Sequence, residues 1–163
     1  KNSYYALVKS PAEFVVGVLK VTGNFNELKP GLHAMARSIS YMGQDLYNPP
    51  TVEGWHTGKG WIDSGTLVER INFAAEQFGN LENPGVRAIV HRIQESIRES
   101  DVKAFVDSCL NQMGPLVVSP ETRTSLIEYA QEGGTLIPDD PNLSTRVAEM
   151  LQLIVSTQEF QFA

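Results

Sequence analysis

The sequence has one cysteine, few basic residues and no long apolar run, and each shortage excludes a class of protein. The single Cys109 cannot form an intramolecular disulfide or a multi-cysteine zinc site. The 13 lysines and arginines are outnumbered by 19 acidic residues, which disfavours a nucleic-acid groove. No segment approaches the roughly 20 apolar residues that span a bilayer. We therefore expect no nucleic-acid partner and no membrane span.

The rest of the composition is that of a globular protein with a substantial core. Hydrophobic residues make up 42% of the 163 positions and charged residues 20%. A chain of this length removes roughly two thirds of its unfolded surface from water. We expect one compact unit, with residues 1–79 and 84–163 as a further division into motif-bearing helices and a helical bundle. The chain starts at Lys1 rather than methionine, which we interpret as a mature or excised piece.

Apolar residues recur at helical spacing along most of the chain, and we predict an all-α fold of about seven helices. The first helix is indicated by Ser10, Pro11 and Glu13, which have the spacing of a capping box. Asp63 or Ser64 is the expected cap of the third helix. Further helical stripes start near residues 32, 64, 86, 102, 120 and 144.

Residues 44–63 interrupt the helical pattern, and we predict one long ordered loop, rich in proline, glycine and tryptophan, between the second and third helices. Pro49, Pro50 and three glycines forbid a continuous helix there. Loops of this length usually bind something or wrap the core. The candidate ligand-binding side chains of the loop are Gln44, Asn48, Trp55, His56, Lys59 and Trp61.

The aromatic side chains of this loop have two interpretations. Tryptophan rings stack on sugar faces or on peptide side chains when they are exposed. Alternatively, Tyr47, Trp55 and Trp61 pack the loop onto the helices, and we favour this structural role because large aromatic side chains dominate packing energetics.

Arg70 and Asn72 follow the loop on the third predicted helix and are candidates for a structural clamp, with Glu53 and Asp63 as partners. Phe73 falls off the apolar stripe of this helix, so we expect the helix to be covered on two sides. A second buried face requires satisfied polar groups. The planar guanidinium of Arg70 is therefore expected to bind Glu53, Asp63 or loop carbonyl groups.

Three loop carboxylates suggest an alternative function as a hydrolase. Asp45, Glu53 and Asp63 lie near His56 in sequence, and a pair of carboxylates performs acid/base or nucleophilic catalysis in many glycosidases. Spacing within a loop does not determine how far apart these groups lie. The hypothesis therefore requires that at least two of them converge in an open pocket.

Other catalytic and cofactor signatures are missing from the sequence. His33, His56 and His91 have no metal-ligand spacing, and no GxSxG elbow accompanies them. The glycines between Gly54 and Gly60 lack the order of a phosphate loop. Cys109 lies close to an apolar stripe, where we expect a buried, unreactive thiol. We expect no metal and no cofactor.

Five segments along the chain form an ordered set of motifs. They read KSPAEFVVG at 9–17, MGQDLYNPPTVEGW at 42–55, WIDSGTL at 61–67, RINFA at 70–74 and STQEFQ at 156–161. The first is similar to KSPVEFVVG, the next three to MGQ-x-LF-x-PPNV-x-GW, W-[IL]-N-x-x-[TS]-L and R-x-NFA, and the last resembles a SPEFQ ending. In this order the segments resemble the motifs of the bacterial 1800 family of domains of unknown function. This sequence departs from these patterns at Tyr47, Thr51, Asp63 and the Thr157-Gln158 pair.

The resemblance implies that this chain is the C-terminal portion of a longer protein exported from the bacterial cytoplasm, in the periplasm or outside the cell. It supplies no reaction and no catalytic residues. We therefore predict a non-catalytic helical module that binds a cell-envelope polymer or a protein partner through the 44–63 loop. The N-terminal part of the parent protein is a further expected partner. The alternatives are the envelope hydrolase above and a purely structural segment that completes the core of the parent.

Overall fold

The computed structural model describes residues 8–27, 30–97, 101–134, 136 and 140–162, and they form an all-α structure without strands. The predicted fold class is confirmed. The described residues form eight α-helices, one more than predicted, because a short helix follows the seventh. The helices are α1 (Pro11–Thr22), α2 (Leu32–Tyr41), α3 (Ser64–Gly79), α4 (Pro84–Ser96), α5 (Val102–Gln112), α6 (Pro120–Glu132), α7 (Leu143–Ser156) and α8 (Gln158–Gln161).

Helix α1 starts with the predicted capping box. The backbone N–H of Glu13 donates to Ser10 Oγ, and the backbone N–H of Ser10 donates to Glu13 Oε2 at 2.9 Å. The second of these bonds is the main reason why the pKa of Glu13 lies below its ordinary value. Helix α1 ends at Gly23 (φ 70°), and a Cβ on Gly85 would collide with the carbonyl of Val21, so glycine lets α4 approach this end.

Helix α7 is the centre of the bundle. It contacts α3 most extensively, and it also packs against α4, α5, α6 and α8. Its buried side chains cover one broad face of the helix, whereas Thr145 and Glu149 on the opposite side are exposed. Both sides of the suggested division at residues 79–84 contribute to this one core, and the division itself stays a prediction.

Helix α8 closes the bundle against α1 and α3. Thr157 caps it by accepting a hydrogen bond from the backbone N–H of Phe160. The ring of Phe160 then packs edge-to-face on Phe14 and Phe78, with centroids 6.1 and 6.4 Å apart. These contacts hold α8 in a defined position on the bundle.

Cys109 lies inside the same core. Its side chain is fully buried on α5, and burial raises the pKa of the thiol to about 12. The predicted burial of Cys109 is confirmed, and a raised thiol pKa agrees with the expected low reactivity. Among the described helices, none combines the length and apolar character that a bilayer crossing requires.

Candidate functional site

The segment between α2 and α3 is held on the bundle near both of its ends. Gln44 is 8% exposed, and its Oε1 accepts the backbone N–H of Ala12 in the first turn of α1 at 2.9 Å. Trp61 is 5% exposed and ends a single 3₁₀ turn, Gly58–Trp61. The ring of His56 packs edge-to-face on Trp61 at 6.0 Å. Two predicted ligand-binding side chains, Gln44 and Trp61, therefore hold the segment in place.

Asp45 organises the first half of the loop. Its carboxylate accepts hydrogen bonds from Ser40 Oγ at 3.2 Å and from Asn48 Nδ2 at 3.1 Å. Its carbonyl oxygen accepts Trp55 Nε1–H at 3.3 Å, although the Trp55 side chain remains 36% exposed. Asn48 and Trp55 are thus positioned by Asp45, and Trp55 still presents part of its ring to solvent.

The tip of the loop exposes apolar side chains on a constrained backbone. Tyr47 is 98% exposed and has φ 65°, in the left-handed region that bulky residues rarely adopt. Val52 is fully exposed in a turn closed by the bridge between Thr51 and Gly54. We call Tyr47, Val52 and Trp55 the loop surface. Of the three aromatic residues predicted to pack the loop onto the helices, only Trp61 is buried.

The three loop carboxylates have different surroundings. Asp63 is the N-cap of α3, where its Oδ1 accepts the N–H groups of Gly65 and Thr66 at 2.8 and 2.9 Å. The bond from Thr66 is the main cause that lowers the pKa of Asp63. Glu53 is exposed, and no hydrogen bond to its carboxylate occurs within the described residues. Asp63 and Asp45 therefore stabilise local structure through the groups that a hydrolase would use.

The histidines lie at the surface. His33, His56 and His91 are exposed, and His91 Nδ1 lies 3.5 Å from Glu95 one turn further along α4. Across the parts of the chain that the structure describes, no three His, Cys, Asp or Glu side chains are placed to hold a metal ion.

Arg70 is a clamp with partners other than those predicted. It is fully buried, and its guanidinium donates to the carbonyl oxygens of Lys9 at 3.1 Å and Gln161 at 3.5 Å. The guanidinium carbon also lies 4.2 Å from the ring centroid of Phe14. Arg70 lies on the one buried face of α3, together with Phe73 and Ala74, so the expected second covered side of this helix is not observed. The predicted partners Glu53 and Asp63 are exposed and make no hydrogen bond with Arg70 within the described residues. Asn72 is exposed on the outer side of α3.

A groove of about 850 Å³ lies where α6, α7 and α8 meet the 3₁₀ turn. Lys59 is the predicted loop residue that reaches it. Most of the other polar side chains in the groove carry hydroxyl groups, and three apolar side chains complete the lining. The lining residues are Lys59, Ser119, Thr122, Ser125, Leu126, Tyr129, Leu153, Ser156, Thr157, Gln158, Glu159 and Phe162.

Glu159 is the carboxylate of this groove. Its Oε1 accepts the backbone N–H of Ser119 at 2.8 Å and the hydroxyl of Thr122 at 2.9 Å. Burial favours the neutral acid, but the hydrogen bonds from Ser119 and Thr122 outweigh it and lower the pKa of Glu159. The group is therefore an ionised acceptor near neutral pH, held between α6 and α8.

Sequence reasoning missed this groove and Glu159. Serines and threonines on helices usually mark a solvated face, so the residues of α6 and α7 gave no local signal. The only indication was that Glu159 falls within the last of the five family-like motifs.

Comparison of the chain with curated proteins and with solved structures gives no match. A family model described as protein of unknown function matches residues 1–162, which is essentially the whole chain. This family is uncharacterised and carries no assigned reaction or ligand. The match agrees with the resemblance of the five ordered motifs, and the chain belongs to the DUF1800 family.

Proposed function

We propose that this chain is a non-catalytic helical module of an exported protein, and that it binds a cell-envelope ligand or partner through the 44–63 loop. The observation that carries the proposal is Tyr47, which is almost fully exposed on a left-handed backbone. Strained conformations of this kind cost on the order of 1–3 kcal/mol and concentrate at binding and catalytic sites. Because its side chain is almost fully exposed, Tyr47 contributes little packing to the folded chain.

The surroundings of Tyr47 support a rigid contact surface. Gln44 and Trp61 hold the loop on the bundle, while Asp45 bonds to Ser40, Asn48 and Trp55. An ordered loop loses little conformational entropy when a partner binds, which favours affinity. Exposed aromatic and branched apolar side chains on such a loop are typical of contact surfaces rather than of solvated turns.

The loop geometry favours binding over hydrolysis. A general acid needs a carboxyl group whose pKa is raised, whereas the cap hydrogen bonds lower the pKa of Asp63. Asp45 uses both carboxylate oxygens to hold Ser40 and Asn48. Asp45 is therefore better explained as a support of the loop surface, and Asp63 as the cap of α3.

Co-sedimentation with an insoluble cell-envelope fraction tests the proposal. We expect the wild-type chain to sediment with the envelope and the double variant Tyr47→Ala, Val52→Ser to remain in solution. Val16→Ser is the control, because Val16 is an exposed valine on α1, outside the loop. Equal sedimentation of the loop variant and the wild type would overturn the proposal.

Two preparations of the cell envelope, with and without its proteins, show which kind of ligand binds the loop surface. If binding survives removal of proteins with detergent and protease, the ligand is a polymer. If binding is lost, the ligand is a protein, and a soluble N-terminal part of the parent is then tested as a competitor. Fractionation of source cells with an antibody against this chain checks the exported location, and a purely cytoplasmic signal would contradict it.

A further inference from the structure

We propose that the groove between the 3₁₀ turn and helices α6, α7 and α8 is a binding site for a short oligosaccharide that carries one carboxylate. Lys59, Glu159 and the hydroxyl groups of the groove would contact the sugar. Apart from Lys59, this site shares no residue with the predicted ligand-binding set of the loop. The inference therefore stands independently of the function proposed above.

The hydroxyl groups of the groove offer mainly acceptor lone pairs. Thr122 donates to Glu159, Ser156 donates to the carbonyl of Gln152, and Thr157 donates to the carbonyl of Ile154. A hydroxyl that donates its proton inside the protein still has lone pairs for a ligand. Such a surface requires a ligand rich in O–H donors, and a sugar supplies several on each ring.

Glu159 adds a stronger acceptor at a defined position. Its Oε1 is occupied by Ser119 and Thr122, whereas no hydrogen bond to Oε2 occurs within the described residues. Hydrogen bonds to an ionised acceptor are shorter and stronger than those between neutral groups. Because the carboxylate is already fixed by two donors, binding of a sugar hydroxyl to Oε2 requires little reorganisation.

The remaining lining suits the apolar face of a sugar ring. Leu126, Leu153 and Phe162 provide aliphatic and aromatic surface beside the polar groups. The volume of about 850 Å³ falls within the range of about 300–1,000 Å³ that is usual for small-ligand sites. A groove of this size accommodates a short oligosaccharide, which presents C–H faces and hydroxyl edges in alternation.

Lys59 determines the expected charge of the ligand. It is the only basic residue among those that line the groove, and it forms no ion pair within the described parts of the chain. An ammonium group in this position attracts a carboxylate and repels a polyamine. The ligand should therefore carry its negative charge near Lys59 and its hydroxyl groups near Glu159.

Calorimetric titration with matched sugars tests the site. The probes are di- and trisaccharides of glucose, galactose and N-acetylglucosamine, each in a neutral form and in a form with one uronic-acid carboxylate. We expect at least one uronic form to bind more tightly than its neutral counterpart. Lys59→Gln should weaken the uronic form about fivefold and leave the neutral form unchanged. Lys103→Gln, at another exposed lysine, is the control.

Two further variants separate a lost contact from a lost fold. Glu159→Gln keeps an oxygen for the Ser119 N–H but removes the charge, so both sugar forms should bind more weakly. Ser125→Phe fills the groove from an exposed position and should abolish binding, with an unchanged circular dichroism melt. No binding of any sugar to the wild type would overturn the inference. Binding that survives Ser125→Phe would overturn it as well.

The loop variant distinguishes the two proposals. Tyr47→Ala, Val52→Ser should bind the oligosaccharide like the wild type, whatever its effect on envelope binding. A sugar affinity that falls in this variant but not in Ser125→Phe would assign the sugar to the loop surface and overturn the groove. Binding of short acidic peptides as tight as that of the sugars would also contradict an oligosaccharide site.

Discussion

Arg70 places a positive charge inside the bundle, against a phenylalanine ring and two carbonyl oxygens. No hydrogen-bond partner of its Nε occurs among the described residues. Burial lowers the pKa of Arg70 to about 10, so the side chain remains charged at neutral pH. This one residue connects α3 with the segment before α1 and with α8.

Replacing Arg70 by methionine should destabilise the protein by about 2 kcal/mol, because the carbonyl groups of Lys9 and Gln161 would lose their donor. Loss of a buried charge acts in the opposite direction, but two unsatisfied carbonyl groups are expected to cost more. Urea denaturation measures the free energy of unfolding, with Arg87→Met on the exposed side of α4 as the control. A more stable Arg70→Met variant would show that the desolvation cost of the charge dominates.

In contrast to Arg70, the side chain of Tyr47 is expected to contribute little to the stability of the fold. Its side chain is almost fully exposed, so Tyr47→Ala should leave the melting temperature nearly unchanged. Tyr47→Gly also relieves the left-handed backbone and should melt about 3 °C above Tyr47→Ala. Thermal unfolding followed by circular dichroism compares the two variants. Equal melting temperatures would mean that the backbone conformation at Tyr47 carries no strain.

Five of the eight described helices begin at side-chain caps. Ser10, Asp63, Asp101, Ser119 and Thr157 each accept backbone N–H groups at the start of a helix. Such caps satisfy donors that have no partner inside the helix. They explain why Ser10 and Asp63, which precede two of the apolar stripes, predicted where α1 and α3 start.

Variants of the cap residue Asp63 test whether its carboxylate has a structural role or a catalytic one. Asp63→Asn should keep the melting temperature close to that of the wild type, because asparagine caps helices equally well. Asp63→Ala should lower it by about 3 °C, since two N–H groups of α3 lose their acceptor. Thermal unfolding of the two variants makes the comparison. A large loss in Asp63→Asn would indicate that the negative charge itself is required.

Features that depend on neighbouring residues could be predicted from the sequence, whereas contacts between residues far apart in the chain could not. The start of α1 was predicted from Ser10, Pro11 and Glu13 because these signals are local. The partners of Arg70 were not predicted, because they are carbonyl groups 61 and 91 positions away. Helix α8 has only four residues, which is too few to show a helical period. In the groove, Lys59 lies close to residues of α6, α7 and α8. No pattern within one segment of the sequence predicts that these residues are close in space.

Across the whole molecule, hydrogen-bonded carboxylates link stability to pH. Glu13, Asp63 and Glu159 have pKa values below the ordinary 4.5 for glutamate and 3.8 for aspartate. Because each folded pKa is lowered, the unfolded chain binds more protons in acid. The stability from these groups is complete above the ordinary values and is lost as the pH falls through the lowered ones.

We therefore expect the urea midpoint to be nearly constant from about pH 7 to pH 5 and to fall steeply below about pH 4.5. Glu159→Gln removes one of the three groups and should make the acid limb of this curve shallower. Denaturation series from neutral to acidic pH on the wild type and the variant measure the difference. An identical acid limb in both proteins would mean that Glu159 does not contribute to the linkage.

The central position of α7 constrains how the protein is made. The helix that contacts α3, α4, α5 and α6 is synthesised after all of them. Until residues 143–156 leave the ribosome, the apolar faces of the earlier helices have no centre to pack against. The nascent chain therefore carries an unfinished core from the synthesis of α1 until that of α7, and chaperone binding or aggregation competes with folding during this interval.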